Sequence, residues 1–302
     1  MTAIAANATD HHSSTGTLTG GDAFGRHSPG GLPSLLLALG TGRLGGRLLG
    51  PVVRRAVPWL YGSVIDVTMD GLRRRLHVRA HADDRRQLAL PRSAAQVRAR
   101  IAAVLPSDGV FVDVGAGTGL HTLAAARHLD APGRVVAVEP NAATRHRLAV
   151  NLALNPLAAT VSLLDSAVGP ACDDVILPSK TFSRAPAAWD APPPALTRAR
   201  PLLTLVEEAG LTRVDVLRLG FKAGADMALI PFLQAAPPAL RPRLIVVERR
   251  RSTRWAFDLP ATLALHGYHP CGGATGTLLF AVEGVTSRDV LWEPSDWSLV
   301  AS

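Results

Sequence analysis

Residues 110–141 read VFVDVGAGTGLHTLAAARHLDAPGRVVAVEPN. VFVDV, apolar but for one acid, has the pattern of a short strand buried on both faces. GAGTG follows, a turn almost without side chains. LHTLAAARHL then places Leu120, Leu123, Ala124 and Leu129 on one face at helical spacing. After APG a second apolar run, VVAVE, ends on Glu139. Strand, glycine turn, helix and strand make a βαβ unit, which is right-handed in nearly every fold that uses it. Such a unit delivers the turn and the helix N-terminus to the carboxyl edge of a sheet, where α/β folds bind their ligands.

The spacing of the glycines narrows the ligand. A dinucleotide fingerprint runs G-x-G-x-x-G, its third glycine allowing close packing beneath a pyrophosphate. Here Gly115, Gly117 and Gly119 alternate with Ala116 and Thr118, and Leu120 stands where that third glycine would be. Asp113, two residues before the turn, would repel a pyrophosphate but suits an ammonium group. Glu139, about 20 residues beyond the turn, is placed to accept hydrogen bonds from ribose hydroxyls. A phosphate-free adenosine with a cationic amino-acid tail fits, and S-adenosyl-L-methionine is such a molecule. The expected cofactor-binding set is Asp113, Gly115, Ala116, Gly117, Thr118, Gly119, Glu139 and Asn141. Asp165 and Ser166, at the tip of a later strand, join it as candidates for the adenine amino group.

The chain has 302 residues, 47% of them hydrophobic, enough for one large α/β domain with appendages. Its net charge is +8, with a pI near 10.8. Yet Lys180 and Lys222 are the only lysines, and the arginines are scattered rather than clustered. With aromatics at 5%, that basicity reads as compositional bias, and no nucleic-acid partner is expected. Cys172 and Cys271 have no metal-ligand spacing around them; both are expected to be buried free thiols, with no metal site. No signal peptide and no apolar run of roughly 18 residues is present, so no integral membrane segment and a cytoplasmic location are expected.

Residues 1–31, rich in Gly, Ser, Thr, Ala and His without periodicity, form a disordered tail, and His11–His12 within it is not a metal site by itself. Residues 32–92 form an N-terminal extension. Its first half, apolar, arginine-dotted and glycine-broken, suits a short pair of helices better than a surface-lying amphipathic helix. Its second half alternates like two or three antiparallel strands, with Asp70–Gly71 at a hairpin turn. The main domain spans residues 93–285, its first helix capped by Ser93. ATVSLLDSAVG, VDVLRL, RLIVVE and TGTLLFAVEG are further strands, the last antiparallel at the end of the sheet, and Asp173 to Leu177 is another candidate. Residues 178–201 hold six prolines and read as a long loop, a lid or recognition loop if ordered. Residues 286–302 are a tail whose Trp292 and Trp297 could pack on the body or on another subunit of a homo-oligomer. The fold class is α/β: a mostly parallel, Rossmann-like seven-stranded sheet with a small antiparallel N-terminal extension.

VFVDVGAGTGLHTLAA, GRVVAVEPN, NLALN, VDVL, RLIVVE and HGY followed by GTLLF together resemble the FkbM-type methyltransferases, a branch of the Rossmann-like class I enzymes that use S-adenosylmethionine. The likeness covers residues 110–282. It implies methyl transfer to a hydroxyl on a sugar or small natural product. The chain departs from that family where lysine–isoleucine–aspartate–valine–glutamate–glycine would follow VDVL. Arg218, Leu219, Gly220, Phe221, Lys222 and Ala223 stand there, then Gly224 and Ala225, and Thr204 replaces another family aspartate. Acids that would orient an acceptor hydroxyl or take its proton are gone. Lys222 reads as a solvated lysine in a reshaped turn, and no catalytic residue is assigned. Glu248, Asp215 and His266 are the other acceptor-side candidates. A methyltransferase-fold protein that binds or regulates without catalysis is the alternative; a nicotinamide-dependent oxidoreductase disagrees with Leu120 and Asp113.

Overall fold

The computed structural model describes residues 23–31, 52–53, 56–57, 63–79, 81–88, 92–177, 195–220, 224–248, 255–274 and 276–285. A hairpin opens it: β1 (Ile65–Met69) and β2 (Leu72–Leu76) pair antiparallel about Asp70 and Gly71, both at positive φ as the tight turn demands. Two short helices follow, α1 (Ala82–Gln87) and α2 (Arg92–Val104). The main domain then runs β3 (Val110–Val114), α3 (Leu120–His128), β4 (Arg134–Val138), α4 (Ala142–Ala153) and β5 (Thr160–Leu164). A small excursion, β6 (Ala167–Val168), β7 (Asp173–Leu177) and β8 (Ala195–Arg200), makes a separate three-stranded sheet. The chain returns through α5 (Leu202–Glu208), β9 (Val216–Leu219), α6 (Ala225–Ala235), β10 (Leu244–Glu248), α7 (Leu259–Leu265), β11 (Tyr268–Ala274) and β12 (Thr277–Val282).

The central sheet has the order β11-β12-β10-β9-β3-β4-β5. β10, β9, β3, β4 and β5 are parallel, whereas β12 runs antiparallel to β10 and to β11. This is the expected Rossmann-like class I sheet, distinguished from a dinucleotide-binding sheet by the reversed strand between β10 and β11. Alternate residues of each strand feed two cores, because successive side chains leave opposite faces. Val110, Val112 and Val114 of β3 enter the layer holding α5, α6 and α7, while Phe111 enters the layer of α2 and α3. The extension has a small core of its own, including Val53, Val57, Ile65, Val67, Leu76, Val78 and Leu88.

Six expectations need correction. Residues 82–87 are a helix rather than a third strand; its Asp84 and Gln87 bond to Thr118 of the main domain. The expected loop at 178–201 contains β8, held by pairing with β6 and β7. β12 is not the end strand, since β11 hydrogen-bonds outside it and forms the edge, with a bulge at Pro270/Gly272. Cys172 is exposed rather than buried. The helix expected to be capped by Ser93 begins at Arg92, which puts Ser93 inside its first turn. Part of the expected disordered tail is bound to the fold: the N–H groups of Gly25 and His27 donate to Asp66 at 2.9 and 3.3 Å. Most of residues 32–61, His11–His12 and the tryptophan-bearing tail lie outside the described residues. Among the described residues no helix is long and apolar enough to cross a membrane, and no three His, Cys, Asp or Glu side chains are grouped to hold a metal ion.

Candidate cofactor and active site

The glycine turn sits at the carboxyl edge of β3. Gly115 and Ala116 donate to the carbonyl of Val138 at 2.8 and 3.1 Å, tying the turn to the neighbouring strand. Gly115, Gly117 and Gly119 have φ of 73°, 62° and 96°, the left-handed region where only glycine is unstrained. At Gly119 a Cβ would also come within 2.5 Å of Leu148 Cδ1 on α4, so the third glycine allows close helix packing. At Gly117 a Cβ would meet nothing within 4 Å among the described residues, so the turn is open at that position. No side chain caps α3, whose first-turn N–H groups face this edge.

Glu139, 2% exposed, stands where β4 ends. Its Oε2 accepts the Gly117 N–H at 2.9 Å and its Oε1 the Asn141 N–H at 3.0 Å. A carboxylate offers about four lone-pair sites, so two are left beside the open face of the turn. Asn141 caps α4, its Oδ1 accepting from Thr144 N–H at 2.9 Å. Asp165, at the tip of β5, is held by Arg145 in a two-pronged pair at 2.8 and 2.6 Å. Ser166 is 1% exposed and faces the small sheet, donating to the Ala167 carbonyl at 2.7 Å. Of the two adenine candidates, only Asp165 lies at the open edge.

Asp113 has a different setting from the one its position suggested. It is fully buried, and its Oδ1 meets Arg218 Nη1 at 2.5 Å while its Oδ2 accepts from Thr122 Oγ1 at 2.6 Å. Strand register brings this about: Arg218 on β9 is the Cα partner of Asp113 on β3 and of Val246 on β10. Glu248, two residues beyond Val246 on the same face, pairs with the other arm of the guanidinium. Asp113, Arg218 and Glu248 thus form an ionic row beneath the turn, buried at Asp113 and Arg218 and partly exposed at Glu248. Burial opposes the arginine's charge, but Asp113 and then Glu248 outweigh it and raise its pKa. A Cβ on Gly220 would lie 2.5 Å from both Nη atoms of Arg218. The missing acid at 220 therefore leaves room that the guanidinium fills. Phe221, Lys222 and Ala223 lie outside the described residues.

The other acceptor-side candidates are separated. Asp215 precedes β9 at the amino edge, accepting the Val110 N–H at 2.8 Å, and His266 closes α7. Glu248 alone among the three reaches the carboxyl edge.

The extension docks onto the turn through polar bonds. Thr118 Oγ1 donates to Asp84 Oδ1 at 3.0 Å and accepts from Gln87 Nε2 at 2.8 Å, while Asn151 Nδ2 donates to the Thr118 carbonyl at 3.0 Å. The same Asn151 accepts the Arg75 N–H at 2.7 Å. Arg147 on α4 lies 3.7 Å from Asp84 and 2.8 Å from His81 Nε2. Burial first, then the charge of Arg147, depresses the pKa values of His77 and His81. This cap was invisible as a site in the sequence. Its one local signal is LRRRL, where Arg74 shares the inward face with Leu72 and Leu76.

No family model matches the chain, and no curated protein does. Among solved structures it is similar to M. jannaschii TYW2 in complex with AdoMet (17% identity, 72% of this chain and 85% of that one, TM-score 0.39). It is also similar to the T. thermophilus 16S rRNA N2 G1207 methyltransferase RsmC in complex with AdoMet and guanosine (18%, 72% and 50%, TM-score 0.40). A third is the Pyrococcus abyssi tRNA (uracil-54, C5)-methyltransferase in complex with S-adenosyl-L-homocysteine (11%, 73% and 46%, TM-score 0.39). At these identities and scores, the functional reading rests on this chain's own residues.

Proposed function

We propose that the protein is an S-adenosylmethionine-dependent methyltransferase acting on a hydroxyl of a sugar or small natural product, as its likeness to the FkbM-type enzymes implies. The observation that carries the reading is Glu139: a nearly buried carboxylate at the tip of β4, braced by Gly117 and Asn141, beside a turn that is open at Gly117. Two spare lone-pair sites suit a ribose diol. S-adenosylmethionine, when bound, supplies an electrophilic methyl on a sulfonium. The chain's own contribution is to bind and align. Glu139 takes the ribose hydroxyls, and the open face of the turn admits the nucleoside. Asp113 acts one layer below, pinned between Arg218 and Thr122, and holds the strand end from which the turn springs. Alignment of donor and acceptor supplies much of the rate for so reactive a methyl group, so the absence of a strand-tip acid at 220 is compatible with turnover.

A specific observation favours a second reading. Gly220 and the guanidinium that fills its space replace an acidic acceptor site, which would suit a protein that binds the donor without using it. Incubation with methyl-labelled S-adenosylmethionine and a panel of glycosides and small hydroxylated compounds separates the two. Labelled product supports the enzyme; donor binding with no transfer to any acceptor supports the binding module.

A further inference from the structure

Arg147 and His81 share a hydrogen bond that exists in one protonation state only. Arg147 Nη1 on α4 lies 2.8 Å from Nε2 of His81, the residue that precedes α1 as its N-cap. A guanidinium has donors and no acceptor. The imidazole nitrogen must therefore accept, which it does only when His81 is neutral with its proton on Nδ1. A second proton would turn Nε2 into a donor and press two cations together. His81 and the neighbouring His77 are half-buried, so solvent protons reach both, and their rings meet edge to face with centroids 6.3 Å apart.

The acids nearby are already engaged. His81 faces His77, Asp83 and Asp84 on the extension and Arg147 on α4. His77 faces Arg147 and Asp84, and beyond them Arg75 and His27. Asp84 Oδ2 accepts the His77 N–H at 2.9 Å and lies 3.7 Å from Arg147 Nε. Asp83 pairs with Arg86 at 2.5 Å, and Arg75 with Asp66 at 2.8 Å. Burial first, then the Arg147 charge, lowers the pKa of both histidines, in accord with the bond.

The same short helix holds the glycine turn. Its Asp84 Oδ1 and Gln87 Nε2 meet Thr118 Oγ1 at 3.0 and 2.8 Å. The hairpin, by contrast, is tied to α4 through groups that do not titrate. Asn151 Oδ1 accepts the Arg75 N–H at 2.7 Å, and Asn155 holds both the N–H and the carbonyl of Arg73 at 2.8 Å. Acidification therefore strikes α1 and leaves the anchorage of β2 in place.

We propose that His81, with His77 beside it, is a proton-operated latch: neutral, it keeps α1 docked on the glycine turn, and protonated, it lets α1 go. The latch stands on the chain's own bonds; its effect on methyl-donor binding rests on the methyltransferase reading. The docked form excludes the proton, whereas the released form takes it up near the ordinary histidine value of about 6.5. Docking is thus whole above that pH and weakens as pH falls below it. One such histidine changes the ratio of docked to released forms by about 10-fold between pH 7.5 and 5.5.

Hydrogen exchange of the full chain reads the latch, with each rate divided by the chemical exchange rate at its pH. Exchange across 81–88 should rise by about 10-fold from pH 7.5 to 5.5, well ahead of β3 and β4. His81→Gln keeps an acceptor for Arg147 that gains no proton, and should hold exchange across 81–88 nearly level. The ring ¹⁵N shifts of His81 should show the Nδ1–H tautomer at pH 7.5. An Nε2–H tautomer, no rise on acidification, or the same rise in His81→Gln would each overturn the proposal. S-adenosylhomocysteine at about 100 times its Kd should slow exchange across 81–88 by about 10-fold or more, because a ligand of the docked form favours docking. Calorimetric binding that leaves this exchange unchanged would overturn the link to the cofactor site. If the protein binds no S-adenosylhomocysteine, the methyltransferase reading fails, and exchange without ligand still decides the latch.

Discussion

Replacing Arg218 with Met removes the only cation bonded to Asp113 among the described residues. Asp113 is fully buried, and Thr122 Oγ1 at 2.6 Å would be its remaining partner. Breaking a buried pair from one side costs about 3–5 kcal/mol, because the surviving charge is left in a medium of low polarity. Glu248 adds little to that sum: its side chain is 33% exposed and can rehydrate when the arginine goes. The loss should thus come almost wholly from Asp113, and would be a large share of the ~5–15 kcal/mol that holds a domain together. Urea unfolding of Arg218→Met, Asp113→Asn and the double variant reads it directly. Arg218→Met should lose about 3–5 kcal/mol, and the double variant should lose less than the sum of the singles by about 2 kcal/mol or more. A loss below about 1 kcal/mol with additive singles would show that the row beneath the turn is not the buried ionic contact described.

Three more outcomes follow from the geometry. Thr118→Val removes the Thr118 partner of Asp84 Oδ1 and Gln87 Nε2, both on buried residues; stability should fall by about 1–3 kcal/mol, and hydrogen exchange should rise across 63–88 before the central strands. His77 and His81 have pKa values below 6.5 in the fold, chiefly through burial and then Arg147, so the unfolded chain takes up protons first on acidification. Their contribution to stability is therefore whole above pH ~6.5 and is lost as pH falls below it; His81→Gln should flatten the slope of unfolding free energy between about pH 5 and 7. Gly119→Ala forces a Cβ to within 2.5 Å of Leu148 Cδ1 at a φ of 96°; a thermal melt should show a loss of about 1–3 kcal/mol.

The core of the fold was legible because parallel strands buried on both faces announce themselves as unbroken apolar runs. VFVDV, VVAVE and RLIVVE did so, and the glycines between the first strand and its helix marked the turn. Elements tied in by distant contacts left weaker traces. ADDRRQ has no apolar face, and its Asp84 and Gln87 bond to Thr118 of the main domain. YHPCGGA carries a proline and two glycines, poor strand formers, and pairing with β12 makes it the edge strand. The candidate site divides in the same way. Glycines and a strand-end acid are local signals, so Gly117 and Glu139 could be read directly. The partnership of Asp113 with Arg218 spans 105 residues and exists only in the register of β3 and β9.

Calorimetric titration of the full chain with S-adenosylmethionine and, separately, with NAD is the most direct test of the central claim. Saturable binding of the methyl donor, lost in Glu139→Ala, with no heat from NAD, is the predicted result. Binding of NAD without any binding of the methyl donor would contradict it.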